Sequence, residues 1–209
     1  MTTYDIWAAV HAERGALAAD LAELSPDQWS TPSLCEGWDV HDVLAHQLET
    51  ARETRLRFFR RFAAAGFDFD RYNQRGVRAE RRADPAETLA AFVAVGASTA
   101  TPPAPLASRL VEVFVHGEDI RRPLGLAGDY PLEGVALAIR HQSGVSAGMG
   151  GAKQLVKGLR IRATDTDLDL GDGPVVEGAA ISLLLVLCGR AVAIDEVGGA
   201  GADTLTGRL

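Results

Sequence analysis

Along residues 4 to 24, Ile6, Val10, Leu17, Leu21 and Leu24 recur at intervals of four, seven, four and three, with Asp, Glu and Arg between them. That is the apolar stripe of an amphipathic helix. Ser25-Pro26-Asp27 closes it, and the polar run through 30–33 reads as loop. Asp39 is placed to cap a second helix whose stripe is Val40, Val43, Leu44 and Leu48, and Asp42 falls in its first turn. This helix is expected to run on into the arginine-rich stretch near residue 61. Arg71, Arg75, Arg78 and Arg82 then lie on one helical face, which is either a solvated stripe or a rim that draws in an anionic small molecule. Asp84-Pro85-Ala86-Glu87 starts a helix that carries Leu89, Phe92, Val93 and Val95 and stops before Pro102-Pro103. A central helix leads from Pro105 to just before Pro123 and Gly125. Another spans Glu133 to about Ala147, and Gly148-Met149-Gly150-Gly151 is expected to be a flexible link.

Beyond the glycines the period drops from 3.6 to 2. Leu159, Ile161 and Ala163 alternate with Arg160, Arg162 and Thr164, and Leu168 and Leu170 alternate with Asp167 and Asp169. These are half-buried strands. Val175-Val176 is a short third strand, Ala179 to about Ala193 a buried helix, and the glycine-rich tail is expected to be weakly structured. Two domains follow: a helical bundle over 1–150 and a small α/β unit over 151–209.

Bulk properties narrow the function classes. The 209 residues carry a net charge of −7 with 23% charged residues, which leaves no electrostatic footprint for nucleic acid. No signal peptide or membrane-length apolar run is visible, so membrane association is not expected. Cys35 and Cys188 then read as reduced thiols of a cytoplasmic protein. No Gly-x-Ser-x-Gly elbow and no Gly-x-Gly-x-x-Gly fingerprint occurs, which removes the commonest hydrolase and dinucleotide readings. Asp165, Asp167 and Asp169 have calcium-loop spacing, but Leu170 and Val176 stand where that loop needs Gly and Glu.

Chemistry concentrates in Leu110-Val111-Glu112-Val113-Phe114-Val115-His116. Five of its seven residues are large and apolar, so the segment is buried, yet it places a carboxylate and an imidazole one turn apart on one face. A buried Glu must be paired or bound to a cation, because stripping water from a lone carboxylate costs several kcal/mol. Glu112 and His116 are therefore two ligands of a metal site or a hydrogen-bonded core pair. A catalytic zinc site needs three protein ligands and an open position. The third candidate is His46, which stands in the apolar segment Val43-Leu44-Ala45-His46-Gln47-Leu48, with Asp42 one turn earlier as an outer partner for its ring. His11, His41 and His141 have more polar neighbours and are expected at the surface. Cys35, just ahead of a helix start, reads as a structural thiol rather than a nucleophile.

Two motifs together resemble a known family. Pro32-Ser33-Leu34-Cys35-Glu36-Gly37-Trp38-Asp39-Val40-His41-Asp42-Val43-Leu44-Ala45-His46 and Val115-His116-Gly117-Glu118-Asp119-Ile120-Arg121-Arg122-Pro123-Leu124-Gly125 resemble the second- and third-helix motifs of the mycothiol-dependent maleylpyruvate isomerases. These are a branch of the DinB-like metal-binding bundles. The resemblance implies a mainly α fold, a DinB-like up-down four-helix bundle followed by a small α/β C-terminal domain. It implies zinc or another divalent metal on His46, Glu112 and His116, and mycothiol as the thiol cosubstrate. The activity implied is cis–trans isomerisation or S-transfer by a metal-bound thiolate acting on a small electrophile. Arg160, Arg162 and Arg190 are the candidates for contacts to the thiol, and a homodimer is the candidate assembly. Two further readings stand beside it: a non-catalytic metal-binding protein of stress response or detoxification on the same bundle, and a purely structural Glu112–His116 pair.

Overall fold

The computed structural model describes residues 3–209, with side chains from Ile6 onward. The chain divides into two compact units, 3–128 and 129–209. The first is helical. It contains α1 (Thr3–Ala22), α2 (Val40–Ala51), α3 (Arg55–Ala64), α4 (Phe69–Glu80), α5 (Pro85–Ala94) and α6 (Ser108–Arg121). Helices α1 and α2 each pack against both α5 and α6, which makes the expected four-helix bundle. Its core gathers Leu17, Leu21, Val40, Val43, Leu44, Leu48 and Phe92, the residues the helical period had put inward, together with Trp29 and Ile120.

Buried charge ties these helices together as well. Arg121, only 1% exposed, donates to Glu13 at 2.5 Å and to Asp20 at 2.7 Å, locking the end of α6 to α1. Burial pushes the Glu13 carboxyl up to about 7 against the opposing pull of Arg121. Helix α2 does not run on to residue 61. It ends at Ala51, and Thr54 caps α3 by accepting from the Arg57 N–H. The junction Arg52-Glu53-Thr54-Arg55 holds neither Gly nor Pro to mark a break, so the Thr54 cap is its local signal.

The second unit holds α7 (Leu132–Gly144), β1 (Arg160–Ala163), β2 (Asp169–Leu170), β3 (Val175–Gly178), α8 (Ala180–Leu187), β4 (Val197–Gly198) and α9 (Ala202–Thr206). The sheet order is β2-β1-β3-β4, with β1 and β3 parallel and both outer pairs antiparallel. Ile161 stands opposite Val176 and Leu170, and α8 packs on β1 and β3. Helix α7 was expected in the bundle domain. It packs on α8 instead, and the division of the chain falls at Gly128–Asp129 rather than near residue 150.

The glycine-rich link is a tied turn rather than a flexible one. Gln142 Nε2 donates to Gly150 O at 2.8 Å, and a Cβ on Gly151 would lie 2.1 Å from Val145 O. The tail is also structured. The Gly201 N–H donates to Val175 O at 2.8 Å, and Leu205 is 1% exposed. Gly199 and Gly201 there serve close backbone approach, with a Cβ falling 2.4 and 2.7 Å from the Val175 and Pro174 carbonyl oxygens. Among the described residues no helix is long and apolar enough to cross a membrane.

Candidate metal centre

Helix α2 starts at a reciprocal cap. The Asp39 side chain accepts from the Asp42 N–H at 2.7 Å, and Asp42 accepts from the Asp39 N–H at 3.2 Å. Arg81 closes this arrangement at 2.7 Å from each carboxylate. Asp42 is thus committed to the cap and to Arg81, and it does not serve as the outer partner of His46; His46 Nδ1 is buried without a hydrogen bond. Two turns into α2, Gln47 Nε2 donates to the main-chain oxygen of Glu112 at 2.9 Å. That bond fixes α2 against α6 beside the residues of interest.

His46, Glu112 and His116 come together. His46 Nε2 lies 3.3 Å from Glu112 Oε1, and His116 Nε2 lies 3.7 Å from the same oxygen. One donor atom from each of the three lies within 4.8 Å of the others. The two imidazoles meet edge to face, ring centres 4.8 Å apart, and the Trp38 indole covers His46 at 5.2 Å. Glu112 Oε1 is buried and has no hydrogen-bond partner. Burial alone would push the Glu112 carboxyl up. The close approach of His46 and the charges of His116, His46 and Arg109 outweigh it and hold the carboxyl well below the usual range. Arg109 Nη2 stands 4.0 Å from the other carboxylate oxygen.

Would a cation fit? Ligand bonds of about 2.0–2.2 Å in a tetrahedron put donor atoms about 3.3–3.6 Å apart. The two separations at Glu112 Oε1 are 3.3 and 3.7 Å, close to that range, and all three donor atoms lie within 4.8 Å of one another, so the donor set suits such an ion. The buried oxygen without a partner is what a cation would satisfy.

An outer layer supports this group. His116 Nδ1 lies 2.8 Å from Asp119 Oδ2, and Asp119 is fully buried. With Nδ1 donating to that carboxylate, the lone pair of Nε2 is turned toward Glu112. The Cys35 thiol donates to the same Asp119 oxygen at 3.1 Å and stands 3.7 Å from His116 Nδ1. Cys35, His116 and Asp119 also lie close enough to be considered as ligands. Their contacts are already at hydrogen-bond distance, which leaves no gap for an ion.

Asp119 was not singled out from the sequence, and Cys35 was read there as a structural thiol. Asp119 could have been found, since it stands three residues after His116 on the same helical face. Cys35 comes from a loop 81 residues earlier and gave no such signal. His41, expected at the surface, is only 2% exposed; its Nε2 lies 2.8 Å from Thr88 Oγ1 and its ring packs edge-on against Trp29. The first turn of α2 faces α5 there, so the polar neighbours in sequence point elsewhere. Arg160 and Arg162 lie on the exposed face of β1, where Arg160 pairs with Asp169 at 2.5 Å and Arg162 with Glu177. Arg190 Nη1 donates to Cys188 O at 2.7 Å.

Comparison with known proteins agrees with this architecture. Residues 10–101 match the model of the mycothiol maleylpyruvate isomerase N-terminal domain family. Two solved structures, the mycothiol-dependent maleylpyruvate isomerase and a histidine-to-alanine mutant of it, are each similar over 97% of this chain and 94% of theirs. The TM-score is 0.62 and the identity 16% in both cases. No curated protein sequence matches the chain. Part of the helical unit thus resembles the mycothiol maleylpyruvate isomerase N-terminal domain family, and the chain as a whole has the fold of the solved mycothiol-dependent maleylpyruvate isomerase.

Proposed function

We propose that this protein is a divalent-metal-dependent, mycothiol-using enzyme of the isomerase type, with the ion held by His46, Glu112 and His116. The observation that carries the metal reading is Glu112 Oε1, buried, without a hydrogen bond, and within 3.3 and 3.7 Å of two imidazole nitrogens. The family that the helical unit resembles supports the thiol. When bound, a divalent cation with an open position lowers the pKa of a coordinating thiol so that it is ionised at neutral pH.

The protein's own groups do the rest. Asp119 holds the His116 ring in one tautomer and one orientation. Trp38 shields His46 from water on one side. The Gln47 bond to the Glu112 main chain keeps the two ligand-bearing helices in register. The substrate class is a cis alkene conjugated to a carbonyl. Sulfur adds to one alkene carbon, and the electron pair moves into the carbonyl. Rotation about the new single bond and expulsion of the thiolate give the trans product, with the thiol regenerated. Contacts to the thiol from Arg160, Arg162 and Arg190 belong to the same proposal; exposed ion pairs such as Arg160–Asp169 are held weakly and can exchange partners.

The test is turnover of maleylpyruvate by the zinc-loaded protein with and without mycothiol. The reading predicts conversion that needs both metal and thiol. Stable thioether product instead would mean S-transfer. Absence of any thiol-dependent turnover, of this substrate or of another electrophile, would remove the enzyme reading and leave a metal-binding protein.

A further inference from the structure

A second site lies wholly within the C-terminal unit. Between the last turn of α7 and the β1–β2 edge of the sheet there is a cavity of about 390 Å³. Its walls are the apolar side chains of Val156, Leu159, Ile161 and Leu170. Leu159 and Ile161 are almost fully buried, so this floor is part of the folded core and not a mobile rim. The volume lies in the range of small-molecule sites, which are mainly apolar with a few placed polar groups.

Here the polar groups are Arg140 and Ser143, three residues apart on one face of α7. Arg140 has no ion pair or hydrogen bond among the described residues. Ser143 Oγ is buried and also has no partner. An unpartnered buried hydroxyl is costly unless something supplies the missing bond. Two donors one turn apart on α7 and lining the same cavity, one of them a permanent cation with a planar fork, suit the two oxygens of a carboxylate. At the mouth the chain carries glycine twice. A Cβ on Gly144 would meet nothing within 4 Å, which is where space is left open. Gly171 has φ +81° and could take no side chain, because its Cβ would lie 2.4 Å from Leu159 O.

We infer that this cavity binds a small organic acid with an apolar body: the carboxylate on Arg140 and Ser143, the hydrocarbon against Leu159, Ile161 and Leu170. The site is independent of the metal cluster and of the proposed reaction.

The experiment is a titration of isotope-labelled, zinc-loaded full-length protein with benzoate, followed by backbone amide NMR, with benzyl alcohol as the uncharged control. Benzoate should give saturable shifts at Gly144, Gly171 and Leu159, and benzyl alcohol much weaker ones. Arg140→Gln should weaken benzoate binding by roughly tenfold or more, the loss of one charge-assisted interaction. Gly144→Leu, placed in open space at a helical position, should fold normally and block the site. The inference is overturned if benzoate produces no saturable shifts around α7 or shifts only residues near His46 and His116. It is also overturned if Arg140→Gln and Gly144→Leu both bind benzoate as the unaltered protein does, or if benzyl alcohol binds equally well.

Discussion

Glu49 stands one turn after His46 on α2, yet the carboxylates on either side of that turn meet opposite surroundings. Glu112, facing His46, is approached by two imidazoles and held strongly acidic. Glu49 is packed with Glu53, Arg61 and Tyr72; burial and its neighbour Glu53 push it up to about 7 while Arg61 pulls the other way. Tyr72 donates to Glu53 at 2.5 Å, and Arg61 lies over the Tyr72 ring. Both clusters have carboxylate oxygens with no hydrogen-bond partner: Glu112 Oε1 in one, Glu49 Oε2 and Glu53 Oε1 in the other. The difference lies in what completes them. The Glu49 cluster already contains a cation, Arg61, which donates to both of its carboxylates. Around Glu112 two imidazole nitrogens converge on a carboxylate oxygen with no arginine or lysine nitrogen of the described residues within 3.5 Å of it, the arrangement on which the proposed metal site rests.

Removing Arg61 should break the first kind of cluster as a structure. Arg61→Ala leaves two buried carboxylates uncompensated and should destabilise the fold by about 3–5 kcal/mol, measured by urea unfolding. His46→Ala should do the reverse, sparing the fold and losing the ion. Glu112 keeps His116 and Arg109 as partners, so the unfolding midpoint of the metal-free protein should hardly move. Zinc affinity should fall by more than the roughly 10–100-fold that loss of an outer partner costs. Asp119→Asn should show that smaller loss, about 10–100-fold in a chelator competition. An unchanged affinity would mean that the His116 tautomer is fixed by something else.

The pH response separates the clusters further. Glu49 is raised from 4.5 to about 7 in the fold, so the native state binds the extra proton. Its contribution is present at low pH and is lost as pH rises from about 4.5 through about 7. Glu112 is depressed, so its contribution is present above 4.5 and lost as pH falls below that value. Glu49→Gln imitates the protonated acid. In thermal melts it should flatten the decline between pH 5 and pH 8 and be the more stable form at pH 8; a slope equal to that of the unaltered protein would contradict this assignment. The smallest effect is expected at Cys35. Its replacement by Ser keeps a donor to Asp119 and should leave zinc affinity within about twofold, while Ala should weaken it by a few-fold, a fraction of the outer-partner range.

How much of this could be read in the sequence depends on the range over which each feature is determined. The stripes of α1 and α2, the cap at Asp39 and the alternation through Ile161 are local, and they stand in the structure as expected. Glu112 and His116 were legible because one helix carries both. His46 was legible because an imidazole in an apolar segment must face something. The pairing of Asp42 with Arg81, 39 residues away, was not legible, and it took the acid that had been assigned to His46. The same holds for His41 with Thr88 and for α7 with α8, where a long-range partner decided between two locally equal choices. In the tail, Gly199 and Gly201 resemble a loose end but sit where a Cβ would come within 3 Å of neighbouring backbone.

The central claim is that the side chains of residues 46, 112 and 116 together hold one divalent ion. Equilibrium dialysis of the purified protein against zinc, with metal counted by mass spectrometry, tests it most directly. One ion per chain, lost in His46→Ala and in Glu112→Gln while both remain folded, is the predicted result. Substoichiometric zinc in the unaltered protein, or full zinc retained by both variants, would contradict it.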